Sequence, residues 1–526
     1  MKITRQFSHR CAVFLLTFFS YAFFHANRKA FSNVKTSTGN VWTPSFHNAT
    51  LPPLKPDKIW NSHTLFNNAD GAEHFQGILD TAFMAAYAVG LFLNGYIGDR
   101  VNMRILLAVG MAGTSVTVFV FGCVCEWASY YNIYFYAAVW IINGFLQSTG
   151  WPVVVACMGN WFGKSSRGVL LGLWSSCASV GNIIGALMVA SVLSYGYQYA
   201  FLMTSCVLLS GSFMVFFGLV PSPEDVGLER SSDDKDDDDE QSPSINTHGR
   251  DQKAPLLSDV PNYGSASSDE ESSPYQVGRS INPEDGVSYE IQATRPASIS
   301  FWSACLLPGV IPYSLAYAFL KLVNYSFFFW LPFYLSNAFH WSESFADKLS
   351  TLYDVAGIVG GTIAGFISDR VGKRTVLIVP MLLVSIPSLL IYSNSPNSFS
   401  INSALMFLVG FFIGGAANLI SSAVSADLGC QKQLRGNDRA LATVTGVIDG
   451  TGSVGAALGQ IAVPYLQTGF NWHAVFYLFM ICMFLTAVCL FPLFFKEIRS
   501  LKCFSRCRQR ANYPTVQDRE YLASSS

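Results

Sequence analysis

Two adjacent cations, Arg28 and Lys29, stand in the stretch FHANRKAFS (24–32) after an almost wholly apolar run over 11–26, with no acidic neighbour. A third, Lys321, sits inside AFLKLVNYSFFFWLPFYLS (318–336), again without a carboxylate in its own run. A charge inside lipid is costly and by default marks function. Arginine offers a planar fork that matches two oxygens of a phosphoryl group, and lysine adds a point charge. Together these residues can bind an anion. Two other readings stand beside that one: pairing with Asp80 or Asp354, and snorkelling of Arg28 and Lys29 to the membrane surface. If a helix starts near Arg10, Arg28 falls about 27 Å along it. The anion reading requires that helix to run on through AFSNV (30–34), so that at least one cation faces inward.

The elements that must position these residues follow from composition. Of 526 residues, 51% are hydrophobic and 13% charged, against about a quarter charged in an ordinary soluble domain. Apolar runs long enough to cross a bilayer lie near 11–32, 78–97, 104–125, 134–158, 168–190, 198–220, 308–335, 349–368, 375–394, 402–426, 440–466 and 472–494. Lipid offers backbone groups no partners, so these twelve spans are expected as helices, with the 42 glycines marking close helix contacts. The reading is an all-α membrane protein.

Basic residues gather in alternate short loops: Lys2, Arg5 and Arg10; Arg100 and Arg104; Lys164 and Arg167; Arg370, Lys373 and Arg374; Lys432, Arg435 and Arg439. Arg499, Lys502, Arg506, Arg508 and Arg510 follow the last span. The opposite loops are nearly free of Lys and Arg apart from the long loop 33–77, so the bias predicts both termini in the cytosol and opposes the snorkelling reading. Asn48-Ala49-Thr50 in that long loop is an N-glycosylation acceptor on the far, luminal side. Most of the twelve cysteines lie inside spans, which does not indicate a disulfide framework.

Residues 221–300 contain DDKDDDDE (233–240) and SSDEESSP (267–274) and read as a disordered acidic cytosolic linker, with Ser267 and Ser268 placed for acid-directed phosphorylation. It separates an N-terminal half, 1–220, from a C-terminal half, 301–498, and a cytosolic tail, 499–526. The halves carry one motif twice: GYIGDRVNMR (95–104) and GFISDRVGKR (365–374) match at Gly95, Asp99, Arg100 and Arg104 against Gly365, Asp369, Arg370 and Arg374. The small residue lets two helices approach, and the carboxylate at the membrane edge pairs with a cation or caps a helix. That is a latch able to hold one conformation and release in another.

NRKAFS (27–32), GWPVVVACMGNWFGKSSRG (150–168), WLPFYLS (330–336), VSADLG (424–429) and VTGVIDGTGSVGAALG (444–459) resemble the organophosphate:phosphate antiporters of the major facilitator superfamily, and within them the vertebrate sugar phosphate exchanger family. The resemblance implies a twelve-helix fold of two pseudosymmetric six-helix halves that exchanges phosphate for sugar phosphates. It makes Arg28 the phosphate-binding arginine, Lys29 the lysine after it, and Tyr21 and Tyr87 cavity tyrosines. The helix 7 arginine of bacterial relatives falls on Asn324, so Lys321 stands one turn earlier on the same face. Two positions depart from the bacterial pattern: Leu91 replaces a lysine and Ala178 a histidine. The family is associated chiefly with the endoplasmic reticulum.

No enzyme constellation and no metal-ligand spacing is present in the sequence. His25 reads as a cavity hydrogen-bonding residue. Asp354 and Asp449 either balance Lys321 or carry a coupled proton. YPTV (513–516) and APLL (254–257) have the form of sorting signals, which leaves the address divided between endoplasmic reticulum and endolysosome. The expected partners are a small anionic substrate, membrane lipid and an accessory membrane protein, with no cofactor and no nucleic acid. Two alternatives to exchange remain: a proton-coupled organic-anion carrier and a transport-inactive scaffold for a partner protein.

Overall fold

The computed structural model describes residues 2–43, 65–98, 101–162, 174–228, 301–429 and 440–512. Each apolar run becomes a helix: α1 (Lys2–Asn33), α2 (Ala69–Gly98), α3 (Met103–Trp127), α4 (Ile133–Trp161), α5 (Cys177–Val192) and α6 (Tyr197–Gly218) in the first half. The second half holds α7 (Val310–Phe339), α8 (Glu343–Val371), α9 (Thr375–Ser393), α10 (Phe399–Ser422), α11 (Ala440–Gly469) and α12 (Trp472–Asn512). Eleven are long and apolar enough to cross a membrane, and α11, with 30 residues, completes the twelve.

Several helices begin earlier than hydropathy suggests. α2 starts at Ala69 rather than near 78, because the Asn68 side chain accepts a hydrogen bond from Gly71 N at 2.9 Å and Asp70 meets the positive end of the helix dipole. α8 starts at Glu343 rather than near 349. A further short helix, Lys35–Trp42, prolongs α1. The expected loop 33–77 is therefore helical at both ends, a correction that comes from polar opening turns indistinguishable from loop by composition. Asn48 lies outside the described residues, as do Ser267, Ser268, both sorting-type motifs and residues 229–300 of the linker. The first residues of that linker are ordered: Pro223–Val226 form a short capped turn, and Arg5 donates to Val226 O at 3.5 Å.

The two halves repeat the same helix crossings. A Cβ added at Gly181 on α5 would lie 2.2 Å from Ala22 O of α1, and one at Gly455 on α11 would lie 2.0 Å from Ala318 O of α7. Likewise a Cβ added at Gly144 on α4 would lie 2.3 Å from Phe83 O of α2, and one at Gly410 on α10 would lie 2.5 Å from Tyr353 O of α8. Only a hydrogen fits at these crossings, so glycine sets how closely the backbones meet. Between halves, α2 packs on α11, α5 on α8 and α1 on α7. The polar side chains of α1, α7, α8 and α11 meet along this central seam.

Candidate anion-binding site

Because α1 continues unbroken to Asn33, Arg28 and Lys29 face inward and are only 3% and 2% exposed. Arg28 Nε donates to Gln147 Oε1 of α4 at 2.9 Å and Nη1 to the Tyr325 hydroxyl of α7 at 3.4 Å. Its guanidinium carbon lies 4.6 Å from the Tyr87 ring centre, and Nη2 has no partner. Lys321 Nζ bonds Asp449 Oδ1 at 2.7 Å and Ser453 Oγ at 2.9 Å on α11. The same ammonium lies 5.0 Å from the Tyr325 ring and 5.9 Å from the Tyr87 ring. The two cations thus come from opposite halves and share one aromatic pair.

Neither pairing raised for Asp80 and Asp354 occurs. Asp80 takes Lys35 at 2.5 Å, and Asp354 accepts from Asn182 Nδ2 at 2.7 Å, while Asp449 balances Lys321. Snorkelling does not occur either. Lys29 donates to Phe328 O of α7 at 2.5 Å and sits 4.7 Å from that ring.

A narrow polar cavity with about 70 Å³ of water-accessible space, partly open to solvent, lies between the halves. Tyr21, His25, Lys29, Ala178, Asn324, Asp354 and Asp449 line it, and Arg28 and Lys321 adjoin it through Tyr325 and Asp449. Tyr21 packs against His25 and Trp151, with ring centres at 4.9 and 4.8 Å. Asn324 accepts from the Tyr353 hydroxyl at 2.7 Å. His25 Nδ1 meets Asn182 Oδ1 at 2.9 Å. Leu91 is wholly buried in the apolar core, so no cation stands at its position.

At the end away from the termini, a ladder of hydrogen bonds joins the halves. Ser32 donates to Phe328 O at 2.8 Å, Ser37 N to Glu343 Oε1 at 3.1 Å and Ser344 to Ala190 O at 3.0 Å; His74 Nε2 meets Thr468 Oγ1 at 2.7 Å. This end is closed.

At the other end stands the second motif copy. Arg374 bonds Ser368 at 2.6 Å, Asp369 at 2.5 Å and, at 2.8 Å, Asp427 in the short helix Ser425–Gly429 that follows α10. Partial burial lowers the proton affinity of Arg374, but the carboxylates of Asp427 and Asp369 more than offset this and hold it above the usual value. Arg370 instead lies exposed over the Phe366 ring at 4.1 Å. Gly365 has open space about it, which does not fit the close approach expected there. In the first copy, Gly95 falls within α2, Arg104 lies in the first turn of α3 and its Nε has no partner, and Asp99 and Arg100 are outside the described residues.

Sequence reasoning missed Gln147, Tyr325, Asn182 and Lys35. The only available signals were polar residues repeating at i and i+4 inside a span, as in Asn143 and Gln147, and a cation just past the end of helix 1. Among the described residues, no group of three or more His, Cys, Asp or Glu side chains is placed to hold a metal ion.

Twelve helices in two like halves around a central polar cavity are the architecture of an alternating-access transporter. The model of the Major Facilitator Superfamily matches residues 13–436 and 313–505. Sugar phosphate exchanger 3 of Xenopus laevis is 52% identical over 493 residues, 93% of each chain. The Homo sapiens protein of that name is 52% identical over 498 residues, 94% of this chain and 95% of its own. Putative glycerol-3-phosphate transporter 1 of Arabidopsis thaliana is 36% identical over 539 residues, covering 97% and 93%. The crystal structure of a D-xylose-proton symporter superposes with a TM-score of 0.58 over 92% of this chain and 97% of its own, at 11% identity, a likeness of fold alone. The chain belongs to the sugar phosphate exchanger family of the major facilitator superfamily.

Proposed function

We propose that this multi-pass membrane protein is a secondary transporter, not an enzyme, that exchanges a phosphorylated organic anion for phosphate by alternating access. One observation carries the reading: Arg28 and Lys321, buried on opposite halves, converge on Tyr87 and Tyr325, and Arg28 keeps one guanidinium nitrogen unpartnered. A phosphoryl group offers oxygens to both cations, and binding it across the seam ties the ligand to the relative position of the halves. The names of the relatives, sugar phosphate exchanger and glycerol-3-phosphate transporter, support this ligand class. Asp449 acts as the resident counter-ion that the ligand displaces from Lys321.

The basic loops support cytosolic termini and a cytosolic linker, with Asn48 luminal; the family resemblance supports the endoplasmic reticulum membrane, and the sorting-type motifs YPTV and APLL the endolysosome. With the far end closed, the cavity of this conformation opens toward the cytosol. The latch of Arg374, Asp369 and Asp427 then works at the cytosolic edge.

The test is uptake of a labelled sugar phosphate by purified protein in liposomes. Uptake that requires internal phosphate supports exchange. A second reading, proton-coupled carriage, is favoured by Asp354, a buried carboxylate facing the cavity, and predicts uptake driven by a pH gradient without internal phosphate. Absence of flux with every anion tried would leave a scaffold for an accessory protein.

A further inference from the structure

His25, Asn182 and Asp354 form a chain of hydrogen bonds from α1 through α5 to α8, crossing between the halves. Its polarity is fixed from one end. The Asn182 amide nitrogen donates to the Asp354 carboxyl at 2.7 Å, which leaves the amide oxygen facing His25. That oxygen accepts from Nδ1 at 2.9 Å, so Nδ1 carries the proton of the neutral ring. Nε2 is left with a lone pair. It is buried, has no partner, and belongs to a side chain only 4% exposed that lines the cavity.

An unpartnered acceptor on a residue that lines an anion-binding cavity is ill suited to a phosphoryl oxygen, whose lone pairs it would oppose. What complements it is an O–H donor. Two sources have that chemistry: a carbon-bound hydroxyl of the substrate, and the P–OH of a singly charged phosphoryl group. We propose that His25 Nε2 reads a substrate hydroxyl, with Asn182 and Asp354 as positioning residues that hold the ring in its accepting tautomer. The proposal rests on the anion reading, in which Arg28 and Lys321 take the phosphoryl group. A buried acceptor discriminates strongly, because an analogue without the hydroxyl leaves it unpaired.

The experiment compares three probes on purified full-length protein: glycerol 3-phosphate, n-propyl phosphate, which lacks carbon-bound hydroxyls, and n-propyl sulfate, which also lacks an ionisable O–H at neutral pH. His25→Phe keeps a ring against Tyr21 and Phe328 but removes the acceptor. The expected result is roughly tenfold weaker binding of glycerol 3-phosphate, with partial recovery in His25→Gln, whose amide oxygen can accept. Loss confined to glycerol 3-phosphate assigns the carbon-bound hydroxyl, and loss shared by both phosphates but not the sulfate assigns P–OH. Equal loss for all three probes, or none, overturns the proposal while leaving the anion site standing. If the wild-type protein shows no Arg28-dependent binding of any probe, the anion site itself is wrong and this inference falls with it.

Discussion

Lys35 and Asp80 form an ion pair of 2.5 Å with neither side chain exposed to solvent. The Lys35 ammonium also lies 3.2 Å from the Trp330 ring centre, so the pair, made within the first half, presses on α7 of the second. Burying two charges is expensive, and removing one strands the other, at a typical cost of about 3–5 kcal/mol. Lys35→Ala and Asp80→Ala should each lower thermal stability in detergent markedly. The double variant Lys35→Met with Asp80→Leu should recover much of the loss. Additive losses in the double variant would mean that the two residues act independently.

Arg28→Ala should weaken phosphate-ester binding by roughly one to two orders of magnitude, as expected for losing a charged hydrogen bond of about 1.5–3 kcal/mol. Arg28→Lys keeps the charge but cannot reach Gln147, Tyr325 and a ligand with one planar fork, so it should remain impaired. Lys321→Arg should retain more binding, and Lys2→Ala, outside the bundle, should bind as wild type. Calorimetric titration with a sugar phosphate decides this, and unaltered affinity in folded Arg28→Ala protein would remove the arginine from the site.

How much of this site was legible in advance depended on charge. Arg28 and Lys321 stood out because a cation in an apolar run is costly and the charge bias of the loops opposes snorkelling, and the repeated motif exposed the two halves. Tyr325 and Gln147 carry no charge and no hydropathy signal, so only the packing of α7 and α4 against Arg28 reveals them. Asp449 was visible as a charge, but choosing between it, Asp80 and Asp354 as the partner of Lys321 required knowing that α7 crosses α11 at Gly455. Lys35 was lost in SNVKTSTGNVW (32–42), whose polar residues read as loop although the chain there is helical.

Asp449→Asn should show the opposite sign to the cation variants. With the carboxylate gone, Lys321 keeps only Ser453 among its close side-chain partners, and a bound anion no longer competes for it. Anion affinity should rise by roughly tenfold, about 1.4 kcal/mol. The ligand-free protein should melt lower, with added ligand recovering more of its stability than in the wild type. Thermal shift measured across ligand concentrations checks both halves of the expectation; weaker anion binding would make Asp449 a ligand-side residue rather than a resident counter-ion.

Arg374 holds together the second copy of the repeated motif, reaching Ser368 and Asp369 at the end of α8 and Asp427 beside α10. Its raised proton affinity keeps it charged wherever the protein is folded. The Asp369 and Asp427 side chains are 38% and 55% exposed, so water screens both pairs, and each contributes no more than about 1 kcal/mol. Arg374→Ala should therefore barely change stability or ligand affinity. If the cluster is a latch, its loss should alter the exchange rate in liposomes several-fold, because about 1 kcal/mol between two conformations shifts their populations by that much. Arg374→Lys, which can make one contact but not three, should fall between. A loss of affinity as large as the change in rate would place Arg374 in support of the binding site, and unchanged rate and affinity would leave the repeated motif an ordinary cluster of charges at the membrane edge.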